Sequence, residues 1–228
     1  MNALARLGGW SLPFVLSATA GAVDVIVFLA LGGLFTAHIT GNVVILAAHY
    51  LTGKFSEVGC LLAVPVFVVV LGAVTLVSGA FERAGYESRR AFLLLQAALL
   101  AACLALGVMR GPFADANSPM AVLVGMLAVA AMATQNALTK LTLSGVPSTA
   151  VMTTNATQLT IDLATLARRR GTPKDLALVR SRAAVTSSSV AGFVAGCAGG
   201  SILELRCGLG ALALPVTLAA LAVLLGEL

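Results

Sequence analysis

One carboxylate, one imidazole and a doubled set of hydroxyls and amides carry the chemistry this sequence offers. They gather in two stretches of eleven residues, GGLFTAHITGN at 32–42 and GVPSTAVMTTN at 145–155. Aligned without a gap, Gly32, Thr36, Ala37, Thr40 and Asn42 meet Gly145, Thr149, Ala150, Thr153 and Asn155. Each copy follows a long apolar stretch and opens a shorter helical one. Polar, glycine-bearing backbone between apolar segments survives in a bilayer only where protein or a water-filled cavity surrounds it. The two copies therefore read as halves of one site.

Asp24 is the most informative single residue. A carboxylate in the middle of a spanning helix costs about 2.5–3.5 kcal/mol to insert, so it must face the bundle interior and find a partner. The functional reading is a proton- or cation-binding group, and the bland one is a packing residue. His38 titrates near physiological pH and could relay protons, although a lone histidine is more often structural. Asn42 and Asn155 sit where a cap would satisfy free helix N–H groups. With Thr40 and Thr153 beside them, the same two helix starts would also favour an anion or polar solute. Asn136 lies within one residue of the position matching Asp24, so an amide there would replace the carboxylate in the second half. Lys140 either pairs with Asp24 or snorkels to the interface. Asp162 matches His49 in the repeat register, and its position fits an interfacial ion pair with Arg168 or Arg169 as well as a buried role.

Composition sets the elements that position these groups. The 228 residues are 59% hydrophobic and 10% charged, with a mean hydropathy of +1.02. Soluble domains carry about 25% charge, so this is an all-α polytopic membrane chain. It forms a single integral membrane domain over 1–228, with repeat halves at about 1–112 and 113–228. At about 20 residues per span, six fit comfortably and eight fit tightly. The long apolar stretches are 12–34, 58–81, 91–109, 120–143, 183–200 and 209–225. Pro65 and Pro215 fall inside two of them and are expected to kink them.

The short segments 43–51 and 156–167 decide the count. The first would cover only about 15 Å and the second is polar, so both read as re-entrant or broken helices between six spans. An inverted internal repeat follows from six spans, and a parallel repeat from the alternative of eight. Either count places both termini in the cytoplasm; six spans put the arginine-rich connections 82–90 and 168–182 there as well, whereas eight would put 82–90 outside. The N-terminus imitates a cleaved signal peptide, but the apolar run continues to Leu34, so it is expected to remain as the first span.

The net charge of +5 sits in short connections and sets orientation, not nucleic-acid binding. Cys60, Cys103, Cys197 and Cys207 have no metal-ligand spacing, and no catalytic or cofactor motif appears. No cofactor or metal is expected. Gly192, Gly196 and Gly200 favour close helix contact, within the bundle or between protomers of a homo-oligomer.

The AGAVD run at 20–24, FTAHITGN at 35–42 and QNA followed by STAVMTTN in the second half resemble the YoaK family (domain of unknown function 1275). The resemblance spans nearly the whole chain and implies a bacterial inner-membrane protein with no established substrate. That family often has a second TG where this chain reads Thr153-Thr154. The function expected from the site is a small-solute or ion transporter. Alternatives are a membrane-embedded enzyme acting on lipid or a small hydrophobic substrate, and a structural or regulatory membrane protein.

Overall fold

The computed structural model describes residues 3–52, 58–143, 145–169 and 171–226, with side chains from residue 11 onward. The polar link at 53–57, the Arg6 side chain and Arg170 lie outside the described residues. Among the described residues the chain is all-helical: α1 (Ala3–Ala30), α2 (Ile39–Thr52), α3 (Val58–Arg83), α4 (Arg89–Arg110), α5 (Pro119–Thr142), α6 (Met152–Arg168), α7 (Pro173–Cys207), a 3-10 turn (Gly208–Leu212) and α8 (Ala213–Leu225).

Local chemistry fixes several boundaries. Ser118 accepts from the Ala121 N–H and Pro119 occupies the first turn, so α5 starts there. Thr172 and Asp175 form a reciprocal capping box with Pro173 between them, which starts α7. α6 ends where Arg169 adopts the left-handed conformation at φ 47°. α3 runs on through Pro65, and Pro215 lies in the first turn of α8, where a missing N–H costs little.

Five stretches are long and apolar enough to cross a membrane: Ser11–Ala30, Val58–Arg83, Arg89–Arg110, Pro119–Thr142 and Pro173–Leu225. The last contains 53 residues, which as one helix would reach about 80 Å. It is two helices. The chain reverses at Gly208, whose φ of +54° a side chain would resist, and α8 returns beside α4. Leu209 packs on Gly107 at one end of α4 and Gly226 on Leu93 at the other, so α4 and α8 are antiparallel.

α1 is the central helix. Its most apolar stretch is 78% buried, against 17% for α3. It runs parallel to α7, because Gly192, Gly196 and Gly200 face Phe14, Ala18 and Ala22 in step. A Cβ at Gly192 or Gly196 would collide with the Phe14 or Ala18 carbonyl. The glycine stripe is thus used within the bundle, against α1. α5 runs against α1, with Gln135 beside Leu16 and Gly125 beside Leu31 and Leu34. α3 follows α5, since the Val58 N–H donates to Asn117 Oδ1 at 2.6 Å near their starts, while Val74 and Ala137 share a cluster near their ends. We call the face where α1 ends the upper face and the opposite one the lower.

Candidate functional site

The upper motif is a loop that folds back onto the helix it has just left. Gly32 and Gly33, at φ 66° and 87°, turn the chain after α1. The loop then descends to Asp24, which is 4% exposed. Asp24 Oδ1 accepts from the Thr36 N–H at 2.7 Å, the Thr36 hydroxyl at 2.8 Å and the Ala37 N–H at 2.7 Å. Its Oδ2 lies 2.5 Å from His38 Nδ1. The desolvated carboxylate thereby replaces its water with four protein partners, the condition for keeping charge in a bilayer. Asn42 closes the loop from the other side. Its amide accepts from the Phe35 N–H at 2.9 Å and donates to the Phe35 carbonyl at 2.8 Å.

The lower motif repeats this plan with uncharged groups. Gly145, at φ 80°, turns the chain after α5. Thr149, the counterpart of Thr36, is held by Gln135, whose Nε2 donates to its hydroxyl at 2.8 Å and to the Leu16 carbonyl at 2.9 Å. Gln96 of α4 donates to Gln135 Oε1 at 2.6 Å, which fixes the orientation of that amide. Asn155 donates to the carbonyl of Ser148 at 2.5 Å, again the residue seven earlier. Both asparagines are the fourth residue of their helices and reach back to the loop; the expected capping of the helix start is not what they do.

The two loops also differ at one pair of positions. A Cβ on Gly41 would lie 2.6 Å from the Phe35 ring, so glycine there makes room for phenylalanine. In the lower motif Ser148 stands for Phe35 and Thr154 for Gly41. Without a ring to accommodate, the glycine is not needed.

Two cavities accompany the loops. The upper one, about 460 Å³, is lined by Asp24, Phe28, Phe35, His38, Thr40 and, from α7, Phe193 and Cys197. The lower one, about 450 Å³, is lined by Asn136, Lys140, Ser148, Thr154, Asn155 and, from α7, Arg182 and Thr186. Spacings of four and seven place Arg182, Thr186, Phe193 and Cys197 on one face of α7, so a single helix surface borders both.

The expected site residues therefore divide. Asp24, Thr36, His38, Thr40 and Asn42 belong to the upper loop or its cavity, and Thr149 and Asn155 to the lower loop. They do not converge on one shared site. Asn136 lines the lower cavity while its Nδ2 donates to the Met132 carbonyl at 2.9 Å, and it is Gln135, not Asn136, that takes the place opposite Thr149. Thr153 is exposed outside the lower cavity, where Thr154 lines the wall instead. Lys140 is exposed at the lower cavity and cannot meet Asp24, whose partners come from the upper loop. Asp162 pairs with Arg182 of α7, at 2.5 and 2.9 Å, in place of the expected Arg168 or Arg169. That guanidinium holds the Asp162 carboxyl below the usual carboxylate range.

Sequence reasoning missed the phenylalanine cluster and the Gln96–Gln135 pair. The rings lie on three separate elements with no shared spacing. The exchange of Phe35 and Gly41 for Ser148 and Thr154 was the one readable trace of the first. Among the described residues no group of three metal-ligating side chains occurs.

No curated protein and no solved structure matches the chain. A family profile does, over residues 12–225, under the description "Protein of unknown function (DUF1275)", and with its loops and helices now placed, the chain belongs to that family of membrane-like helical proteins.

Proposed function

We propose that this protein is a small-solute permease of the bacterial inner membrane. In this reading α1, α3, α4, α5, α7 and α8 cross the bilayer, and α2 and α6 are re-entrant. The halves form an inverted repeat, with both termini and the arginine-rich connections on the cytoplasmic side. The observation that supports it is the duplicated clamp on oppositely directed helices: Asp24 of α1 holds Thr36, and Gln135 of the antiparallel α5 holds Thr149. Broken helices that enter from opposite faces and end in polar loops are a recurring way to build alternating access.

Single cysteines at Thr40 and Thr154 test the arrangement, with the native cysteines replaced. In sealed vesicles a membrane-impermeant maleimide should label Thr40→Cys from the periplasmic side and Thr154→Cys from the cytoplasmic side. Labelling of both from one side would end the two-sided reading. A screen of solutes by thermal shift, followed by uptake of any hit into proteoliposomes, then tests transport itself.

A further inference from the structure

The upper cavity is an aromatic box with one polar corner. The Phe28 and Phe35 rings are 4.8 Å apart, and His38 stands edge-on to Phe193 at 5.3 Å between centroids. Among the described residues no lysine or arginine lines it. Asp24 supplies the formal charge. The three donors on Oδ1 favour the ionised form of Asp24, and with Asp24 as a carboxylate His38 Nδ1 is the donor to Oδ2. That assignment leaves the Nε2 lone pair of His38 as an acceptor without a partner among the described residues, on a ring whose side chain is 35% exposed and lines the cavity.

An anion finds little here. When His38 is protonated, its charge is already matched by Asp24, and no second base stands nearby. A bare metal cation finds phenyl rings where it needs a cage of oxygens. What fits is a cation with a hydrocarbon body. Its charge would face aromatic π-clouds and the Asp24 carboxylate, and its N–H would meet the free imidazole nitrogen. A volume of about 460 Å³ falls in the usual range for small-molecule sites, about 300–1,000 Å³.

We infer that the upper cavity binds an organic ammonium whose N–H donates to His38 Nε2, and that a proton competes with it for that nitrogen. The groups facing His38 are Asp24 from α1 and Cys197 from α7, with no titratable side chain from the α2 wall. Loading one ammonium releases one proton from Nε2, and rebinding the proton expels the ammonium. Charge balances, one monovalent cation for another. Coupling this exchange to movement across the bilayer rests on the permease reading; the competition itself does not.

The test is equilibrium binding to the purified protein in detergent, by calorimetry, from about pH 9 to about pH 5, the range in which protein histidines titrate. The probes share one aromatic body: 2-phenylethylammonium, phenylacetate and the N–H-free benzyltrimethylammonium. The expected result is saturable binding of 2-phenylethylammonium that weakens about tenfold per pH unit once the proton dominates. Phenylacetate should not bind, and the quaternary cation should bind weakly with a flatter pH profile. His38→Gln should abolish the pH dependence. If that variant does not fold, Phe193→Ala should weaken binding several-fold and keep the wild-type pH profile. Equal or tighter binding of phenylacetate, no binding of either cation, or a flat profile for 2-phenylethylammonium would overturn the inference. Proteoliposome flux separates it from the permease reading. Proton-linked binding without flux sinks the permease and keeps the site, whereas flux of another solute without ammonium binding does the reverse.

Discussion

The two motif loops share a backbone plan and differ in what holds them. The upper loop is tied by a carboxylate to two backbone N–H groups, a hydroxyl and an imidazole. The lower loop is tied by an amide to one hydroxyl, and that amide is itself held by Gln96 and Leu16. Charge-assisted bonds are roughly twice as strong as neutral ones, so the upper tie is the stiffer. It is also the only one of the two whose strength depends on protonation. The lower cavity has the opposite character, bordered by Lys140 and Arg182 and by amides. The two loops thus differ in kind, one clamped by an ionisable pair and the other by neutral amides beside a basic cavity.

Substitutions at the two clamps should break this comparison first. Asp24→Leu strands two buried N–H groups and a hydroxyl, at about 1–3 kcal/mol each, and should cost about 3 kcal/mol or more. This reverses the expectation from insertion energetics alone, by which leucine would be the easier residue to place. Gln135→Leu strands the buried Gln96 amide while Thr149 retains Thr139 within 3.4 Å, so it should cost about 1–3 kcal/mol. Thermal or denaturant unfolding of both variants in detergent ranks them, and a larger loss at Gln135 would refute the stated asymmetry.

The glycine–phenylalanine exchange sharpens the comparison at lower energy. Gly41→Ala should cost about 1–3 kcal/mol by overpacking against Phe35, while Thr154→Ala should stay within about 0.5 kcal/mol. Combining Gly41→Ala with Phe35→Ser should recover most of the strain, and a double-mutant cycle measures the coupling. Additive losses would mean that Gly41 answers to something other than the ring.

The smallest effect expected is at the α6–α7 pair. Asp162 has a depressed pKa in the folded protein, so its contribution is present above the unfolded carboxylate value and is lost as pH falls through the folded one. Acid should therefore lower the unfolding midpoint of wild type more than that of Asp162→Asn. Equal acid sensitivity of the two would leave the pair without a stabilising role.

Much of this was legible in the chain itself. The apolar runs located the long helices, the two similar motifs located both loops, and Asp24 announced a buried partner. Three things were not legible. The lower clamp fell to Gln135 and not to its neighbour Asn136, because one residue on a helix shifts the side chain by about 100° and sequence register does not resolve that angle. Arg182 lies a full loop away from Asp162, and nothing in spacing favours it over Arg168. The division into two cavities depends on how α7 lies across both loops, a tertiary fact that local pattern does not contain.

The parallel contact of α1 with α7 has a consequence for how the protein is made. Its central helix is synthesised first, and its closest mate nearly last. Roughly 140 residues separate the end of α1 from the start of α7, which at about 5–20 residues per second is a delay on the order of ten seconds. During that interval α5 reaches α1 through Gln135 and Leu16, but the backbone groove that Gly192 and Gly196 will fill stands open to lipid. The membrane must therefore hold an unfinished bundle until α7 arrives with its three glycines and α8 follows to close it.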